Sequence, residues 1–222
     1  FEAMSGLYLE LMHGQGAIEV YAYDKKAMLL QDAAGGELRE LVEAGEDDMA
    51  TEIAATTIKT LHSVPIDFEG KGFWSDRRNA QGLFEADNNV HPFMAEAKEK
   101  MNMLLDSTKA EDVRLLHRDI HHMNILNSER GWLAIDPQPV IGDRHYECTT
   151  FFMNPTGYKD ILSKARIERV ENIFCDALDL DKMRLREFVF CHAMLSACWH
   201  IMDGTDPESS FAFAALIRNE FL

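Results

Sequence analysis

LLHRDIHHMN, residues 115–124, places one carboxylate, Asp119, among three histidines and an arginine, with Asn124 five residues further on. Twelve residues after Asn124, the apolar run WLAID ends in Asp136. VRLLH, NILN and WLAID are short, apolar and too closely spaced for helices, so they read as small strands flanking a His-Arg-Asp loop. Each piece alone has a high chance rate, whereas the combined spacing is the layout that phosphoryl transfer requires. Asp119 is positioned to receive a proton from an acceptor hydroxyl. Asn124 and Asp136 are hard oxygen ligands suited to Mg²⁺ on nucleotide phosphates. One short loop holds base and ligand rigid relative to each other, and positioning supplies much of such a rate.

Upstream, EAMSGLYLELMHG carries Met4, Leu7, Tyr8 and Leu11 at helical spacing and stops at Gly14 and Gly16. AIEVYAYDKKAMLLQD follows as two strand-like runs around Asp24-Lys25-Lys26, a hairpin. Gly35-Gly36 breaks the pattern and sets the expected boundary between a partial N-terminal lobe, residues 1–34, and a C-terminal lobe, residues 35–222. Asp47 or Asp48 is expected to cap a helix with an apolar stripe of Ala50, Ile53, Ala54, Ile58 and Leu61. Another helix is expected through Phe93, Ala97, Met101 and Leu104. After Pro139 the chain is expected to return to helices, clearest over 162–180 and 183–202.

A formal charge of −16 argues against nucleic acid, which needs clustered Lys and Arg, and agrees with either a solvated acidic surface or a cationic small-molecule partner. With 46% hydrophobic residues and no apolar run of membrane-spanning length, the chain reads as globular, soluble and cytoplasmic. Cys148, Cys175, Cys191 and Cys198 show no zinc or disulfide spacing and read as free thiols. The chain opens on Phe1, directly in helix-like sequence, and reads as a fragment.

HRDIHHMN followed by AIDPQPVIGDRHYE resembles the aminoglycoside phosphotransferases of the kinase-like superfamily, which carry His-x-Asp-x-x-x-x-Asn, then Ile-Asp, then Gly with an acidic residue. His121-His122, Trp132, Gly142-Asp143 and SACWHIMDG narrow the likeness to the streptomycin 6-kinase and aminoglycoside–hydroxyurea resistance branch. The resemblance implies an α+β protein-kinase-like fold with a mainly helical C-terminal lobe, ATP and Mg²⁺ as cofactors, and a small cationic acceptor. It implies that Gln31, Asp32 and Ala33 form a hinge whose backbone meets adenine, and that Glu2 occupies the place of the helix Glu that pairs with a strand lysine. No glycine-rich phosphate loop or strand lysine precedes Glu2, so an inactive binding module is the alternative to a kinase. A kinase of another small metabolite shares the same motifs.

Arg118 stands where that group usually has Gly, Gln138 where Lys is common, and Glu147 where Asp is expected. Asp119, His117 and Arg118 form the candidate catalytic set: Asp119 as base, His117 as a histidine steadying the loop, and Arg118 either pairing with a carboxylate or pointing to solvent. His121 and His122 either line the acceptor site or pack. Asp203 and Glu208 are candidates to meet ammonium or guanidinium groups, set against a solvated acidic loop.

Overall fold

EAMSGLYLELM forms α1 (Glu2–Met12), and it ends where His13, Gly14 and Gly16 take left-handed backbone, φ 48°, 72° and 70°. The computed structural model describes residues 2–33 and 35–222, with the side chain of Glu2 outside the described residues. β1 (Val20–Tyr23) and β2 (Met28–Leu30) pair antiparallel. Asp24 makes their turn, its Oδ1 accepting the Lys26 and Ala27 N–H groups at 2.7 and 3.0 Å. Past the hairpin, the Gly35 N–H donates to the carbonyl of Asn127 at 3.1 Å. A Cβ at Gly35 would lie 2.3 Å from that oxygen, so only glycine allows the approach.

α2 (Leu38–Glu43) leads to α3 (Asp47–Ser63), whose Ala50, Ala54, Ile58 and Leu61 are buried and Ile53 half-buried. The expected cap is corrected: Glu46 is the N-cap, without a side-chain bond, and Asp47 is the first helical residue. The Asp47 carboxylate instead accepts Arg166 Nε and Nη2 at 2.8 and 3.0 Å, both side chains being buried. A bidentate, charge-assisted bond to a buried guanidinium outweighs one backbone N–H. Asp48 likewise pairs with Arg169 at 2.8 Å.

The chain continues through β3 (Trp74–Ser75), α4 (Asp76–Asn79), α5 (Gln81–Glu85) and α6 (Met94–Asp106). β4 (Val113–Leu116), β5 (Ile125–Ser128) and β6 (Gly131–Ala134) are the three strands expected around the His-Arg-Asp loop. Then comes a fourth, β7 (Val140–Asp143), where helix was expected. β7 is the middle of a three-stranded sheet, antiparallel to β4 (Leu115↔Ile141) and parallel to β3 (Trp74↔Val140). Four residues are too few for a period to emerge, and a two-residue partner strand gives no signal at all.

α7 (Thr149–Phe152), α8 (Lys164–Leu178), α9 (Lys182–Met202) and α10 (Glu208–Phe221) complete the chain. α9 is apolar on nearly every side, as a central helix must be, and packs against α5, α6, α7, α8 and α10. α3 packs against α8. The architecture is α+β, mostly helical with small sheets, and among the described residues no helix is long and apolar enough to cross a membrane.

The β5–β6 hairpin positions the site. Ile125 pairs with Ala134, and the hairpin is flanked on both edges. The Ala134 N–H donates to Gly16 O at 2.9 Å and the Ile18 N–H to Ala134 O at 3.0 Å. On the other edge the Asn127 N–H donates to Gly36 O at 2.9 Å.

Candidate active site

The loop from His117 to Asn124 joins β4 to β5, and one buried carboxylate clamps its start. Glu147 accepts the His117 N–H at 2.8 Å, the Arg118 N–H at 2.6 Å and His62 Nε2 at 3.1 Å. Burial pushes the Glu147 pKa up, but the His62 hydrogen bond and charge, the His117 charge and the Arg118 N–H together hold it below the ordinary carboxylate value. His117, fully buried, donates from Nε2 to Ile135 O at 2.9 Å and accepts the Asp119 N–H at Nδ1, 3.3 Å. Burial holds its pKa below the ordinary value despite the charges of Glu147 and Asp119, and its two ring hydrogen bonds brace the base loop against the strand that leads to Asp136. Ser5 Oγ donates to Pro137 O at 2.7 Å and the Tyr8 ring meets His117 edge-on at 5.7 Å, which ties α1 to both loops.

Asp119 is 28% exposed at the side chain. Asn124 Nδ2 donates to its backbone oxygen at 3.0 Å and to its Oδ2 at 3.1 Å, leaving Oδ1 without a hydrogen bond among the described residues. The Asn124 Oδ1 accepts no hydrogen bond among the described residues. The Ile135 N–H donates to Asn124 O at 2.9 Å, so Asp136 follows directly across the hairpin end from Asn124. Asp136 is exposed, in left-handed backbone at φ 54°, and its carboxylate has no hydrogen bond among the described residues. One amide oxygen and one carboxylate, both uncommitted, fit Mg²⁺, which takes few protein ligands and completes its shell with phosphate and water. They do not make an all-protein cage: among the described residues no three His, Cys, Asp or Glu are placed to hold a metal. His121 Nε2 stands 3.7 Å from Asp119 Oδ2. Burial lowers the His121 pKa against the opposing charges of Asp119, Asp136 and Glu37.

Arg118 overturns both expectations for it. At φ 69°, where the resemblance places Gly, its side chain neither reaches solvent nor meets a carboxylate. It lies buried with the guanidinium 3.7 Å over the Tyr146 ring. Its Nη1 donates to Thr150 Oγ1, and Nη2 to His192 Nδ1, each at 3.0 Å.

Arg118 and Asp119 both line a cavity of about 730 Å³ whose wall includes Trp74, Trp199, Asn154 and Gln138. That is the size of a site for a drug-scale ligand. Asp203 and Glu208 do not line it. Asp203 is the exposed C-cap of α9 and Glu208 the exposed first residue of α10, and Ser209 and Ser210 reach the cavity instead. Gln31 sits beside the hairpin, its N–H bonded to Glu19 O at 2.8 Å and its Oε1 accepting from Arg130, with Asp32 and Ala33 following. The Glu2 side chain lies outside the described residues.

His122 does not line the cavity; it packs. Fully buried, it stacks on Phe151 at 3.9 Å with neither ring nitrogen hydrogen-bonded. Burial, with the Arg166 and His121 charges, lowers its pKa to about 2. Unfolded, the same ring takes a proton below about pH 6.5, so native stability falls as pH drops under that value. His122→Phe keeps the stack and removes the titration. Between pH 8 and pH 5 the native chain should lose about 2 kcal/mol more stability than the variant, measured by urea unfolding at each pH. Equal losses in both would show that the ring is hydrated or protonated in the fold.

Residues 2–204 match the aminoglycoside/hydroxyurea antibiotic resistance kinases. The chain belongs to that family. It is 32% identical over 201 residues to a streptomycin 3''-kinase of Klebsiella pneumoniae, covering 86% of this chain and 73% of that protein. It is 28% identical over 204 residues to a streptomycin 6-kinase of Streptomyces griseus, covering 86% of this chain and 64% of that one. Its fold matches a thermostable mutant of aminoglycoside phosphotransferase APH(4)-Ia in ternary complex with ADP and hygromycin B. That match has a TM-score of 0.67 and 16% identity, over 98% of this chain and 84% of the other. The family is one of kinases with an alcohol acceptor, and the fold is protein-kinase-like.

Within this family member, sequence reading brought His117, Arg118, Asp119, His121, Asn124 and Asp136 to one place. It missed the roles of His62, Tyr146, Thr150 and His192, which come from four separate elements. Only Glu147 had carried a signal, its acidic position after Gly142.

Proposed function

We propose that this chain transfers the γ-phosphoryl group of ATP, with Mg²⁺, to a hydroxyl of an aminoglycoside-type, streptomycin-like antibiotic in the cytoplasm and so confers resistance. The observation that carries the reading is Asp119, oriented by Asn124 and opening on a cavity large enough for such an acceptor, with Asp136 across the hairpin end. The acceptor oxygen bonds to the γ-phosphorus, ADP leaves, and the hydroxyl proton passes to Asp119. Asn124 Oδ1 and the Asp136 carboxylate would hold Mg²⁺, which neutralises phosphate charge when bound. Residues 1–34 would form the partial upper lobe, with Gln31 to Ala33 at the adenine, and residues 35–222 the catalytic lobe. A cationic acceptor is supported by the family and the −16 charge, not by the cavity wall, where Asp119 is the one carboxylate among the lining residues. That same wall favours a second reading, a kinase of a less charged hydroxylated metabolite.

ADP release is assayed with ATP, Mg²⁺ and a panel of streptomycin, other aminoglycosides, choline-like amines and neutral sugars. Turnover should be confined to aminoglycosides, and turnover on neutral sugars alone would sink the antibiotic assignment. Mg²⁺ with a nucleotide should also raise Tm by mass action. Asp136→Ala should abolish the Mg²⁺-dependent part of that rise, and an unchanged rise would remove Asp136 from the role.

A further inference from the structure

In a chain of net charge −16, the cavity beside Asp119 is walled by more cations than anions. Arg118 and Lys159 line it, and Asp119 is the one carboxylate among the lining residues. Arg118 is the unusual member, because the residue is 3% exposed and its guanidinium makes no ion pair among the described residues. The other buried guanidinium, Arg166, shows what this fold does elsewhere: Asp47 binds it twice and the carbonyls of Phe152 and Asn154 take further N–H groups. A buried charge without a counter-ion is costly. The partner Arg118 does have, His192, is neutral, its pKa held well below the ordinary value by burial and by Arg118 itself.

A guanidinium has five N–H donors. Thr150 and His192 take one each, Nε is buried with no partner, and two hydrogens on the η nitrogens remain. Tyr146 covers one face of the group, so the spare donors lie in its plane. Thr150 and His192 themselves line the same cavity, which makes this a built corner rather than a side chain passing by.

We propose that Arg118 is a specificity-determining residue whose spare N–H groups, with Lys159, donate to a hydroxyl or carbonyl oxygen of the acceptor next to the hydroxyl presented to Asp119. This rests on the reading of the cavity as the acceptor site. Phosphoryl oxygens in transfer have the same chemistry, an electron-rich oxygen beside Asp119, and the two sources separate experimentally.

Trp74 and Trp199 line the cavity, so intrinsic fluorescence reports on it. Inorganic phosphate and acetate are titrated, without nucleotide, into the full chain and into Arg118→Gly and Arg118→Lys. Glycine accepts the φ of 69° without strain, and Arg118→Lys keeps the charge if Arg118→Gly proves unstable. Both anions should give saturable changes in the native chain, with apparent Kd at least tenfold weaker in Arg118→Gly and intermediate in Arg118→Lys. Guanidinium chloride at matched ionic strength should give none. Phosphate binding without acetate binding, together with a lowered kcat and unchanged acceptor KM in Arg118→Gly, assigns the corner to the phosphoryl group and overturns the acceptor assignment. No saturable response to either anion, or the same response in both variants, overturns the site altogether. Anion binding is read without turnover, so its failure is separate from a failure of the kinase reading, which ADP release tests alone.

Discussion

Asp119→Asn should lower turnover on the true acceptor by about a hundredfold or more while nucleotide binding persists. The amide keeps the size of the carboxylate and can still meet Asn124, after a flip of one or the other side chain, but it cannot take a proton. Asp119 makes its side-chain hydrogen bond through Oδ2 only, so the variant loses little structure and its Tm should hold. Single-turnover measurements with saturating ATP separate the loss of chemistry from a loss of binding. Full activity in the variant would mean that another group takes the proton and that the loop spacing misled.

Glu147→Ala should be the most damaging single change to the fold around the site. It strips a fully buried acceptor from the His117 N–H, the Arg118 N–H and His62 together. Unsatisfied buried donors and a broken buried pair cost about 3–5 kcal/mol in such cases. For a chain of this size that lowers Tm by about 6–20 °C. Glu147→Gln keeps one acceptor oxygen and should fall between the two. Because the folded pKa is depressed, the carboxylate's contribution is fully present above its unfolded value of about 4.3 and is lost as pH falls through the folded value. The stability gap between native chain and Glu147→Gln should therefore narrow only in acid. A Tm within a degree of the native one for Glu147→Ala would show that the loop does not depend on this clamp.

Much of the fold was legible because it is local. The α1 stop at Gly14, the Asp24 turn, the helix after Pro92, and the three strands around the His-Arg-Asp loop each follow from neighbours within a few residues. β7 was not legible, since a four-residue strand between distant partners has no period to read. Asp47 was misassigned for a related reason. Its sequence neighbours offer a helix terminus, but Arg166, 119 residues away, offers two charge-assisted bonds.

By itself the sequence determined which residues meet: Asp119, Asn124 and Asp136 stand at spacings that a loop and a short hairpin convert directly into proximity. Tertiary structure alone decided what surrounds them. It buried His122 against Phe151, turned Arg118 inward over Tyr146, kept Asp203 and Glu208 off the cavity wall, and set Glu147 under the loop. Spacing carries backbone reach over a few residues, whereas the side a buried side chain faces is chosen by packing and hydrogen-bond satisfaction among elements far apart in the chain.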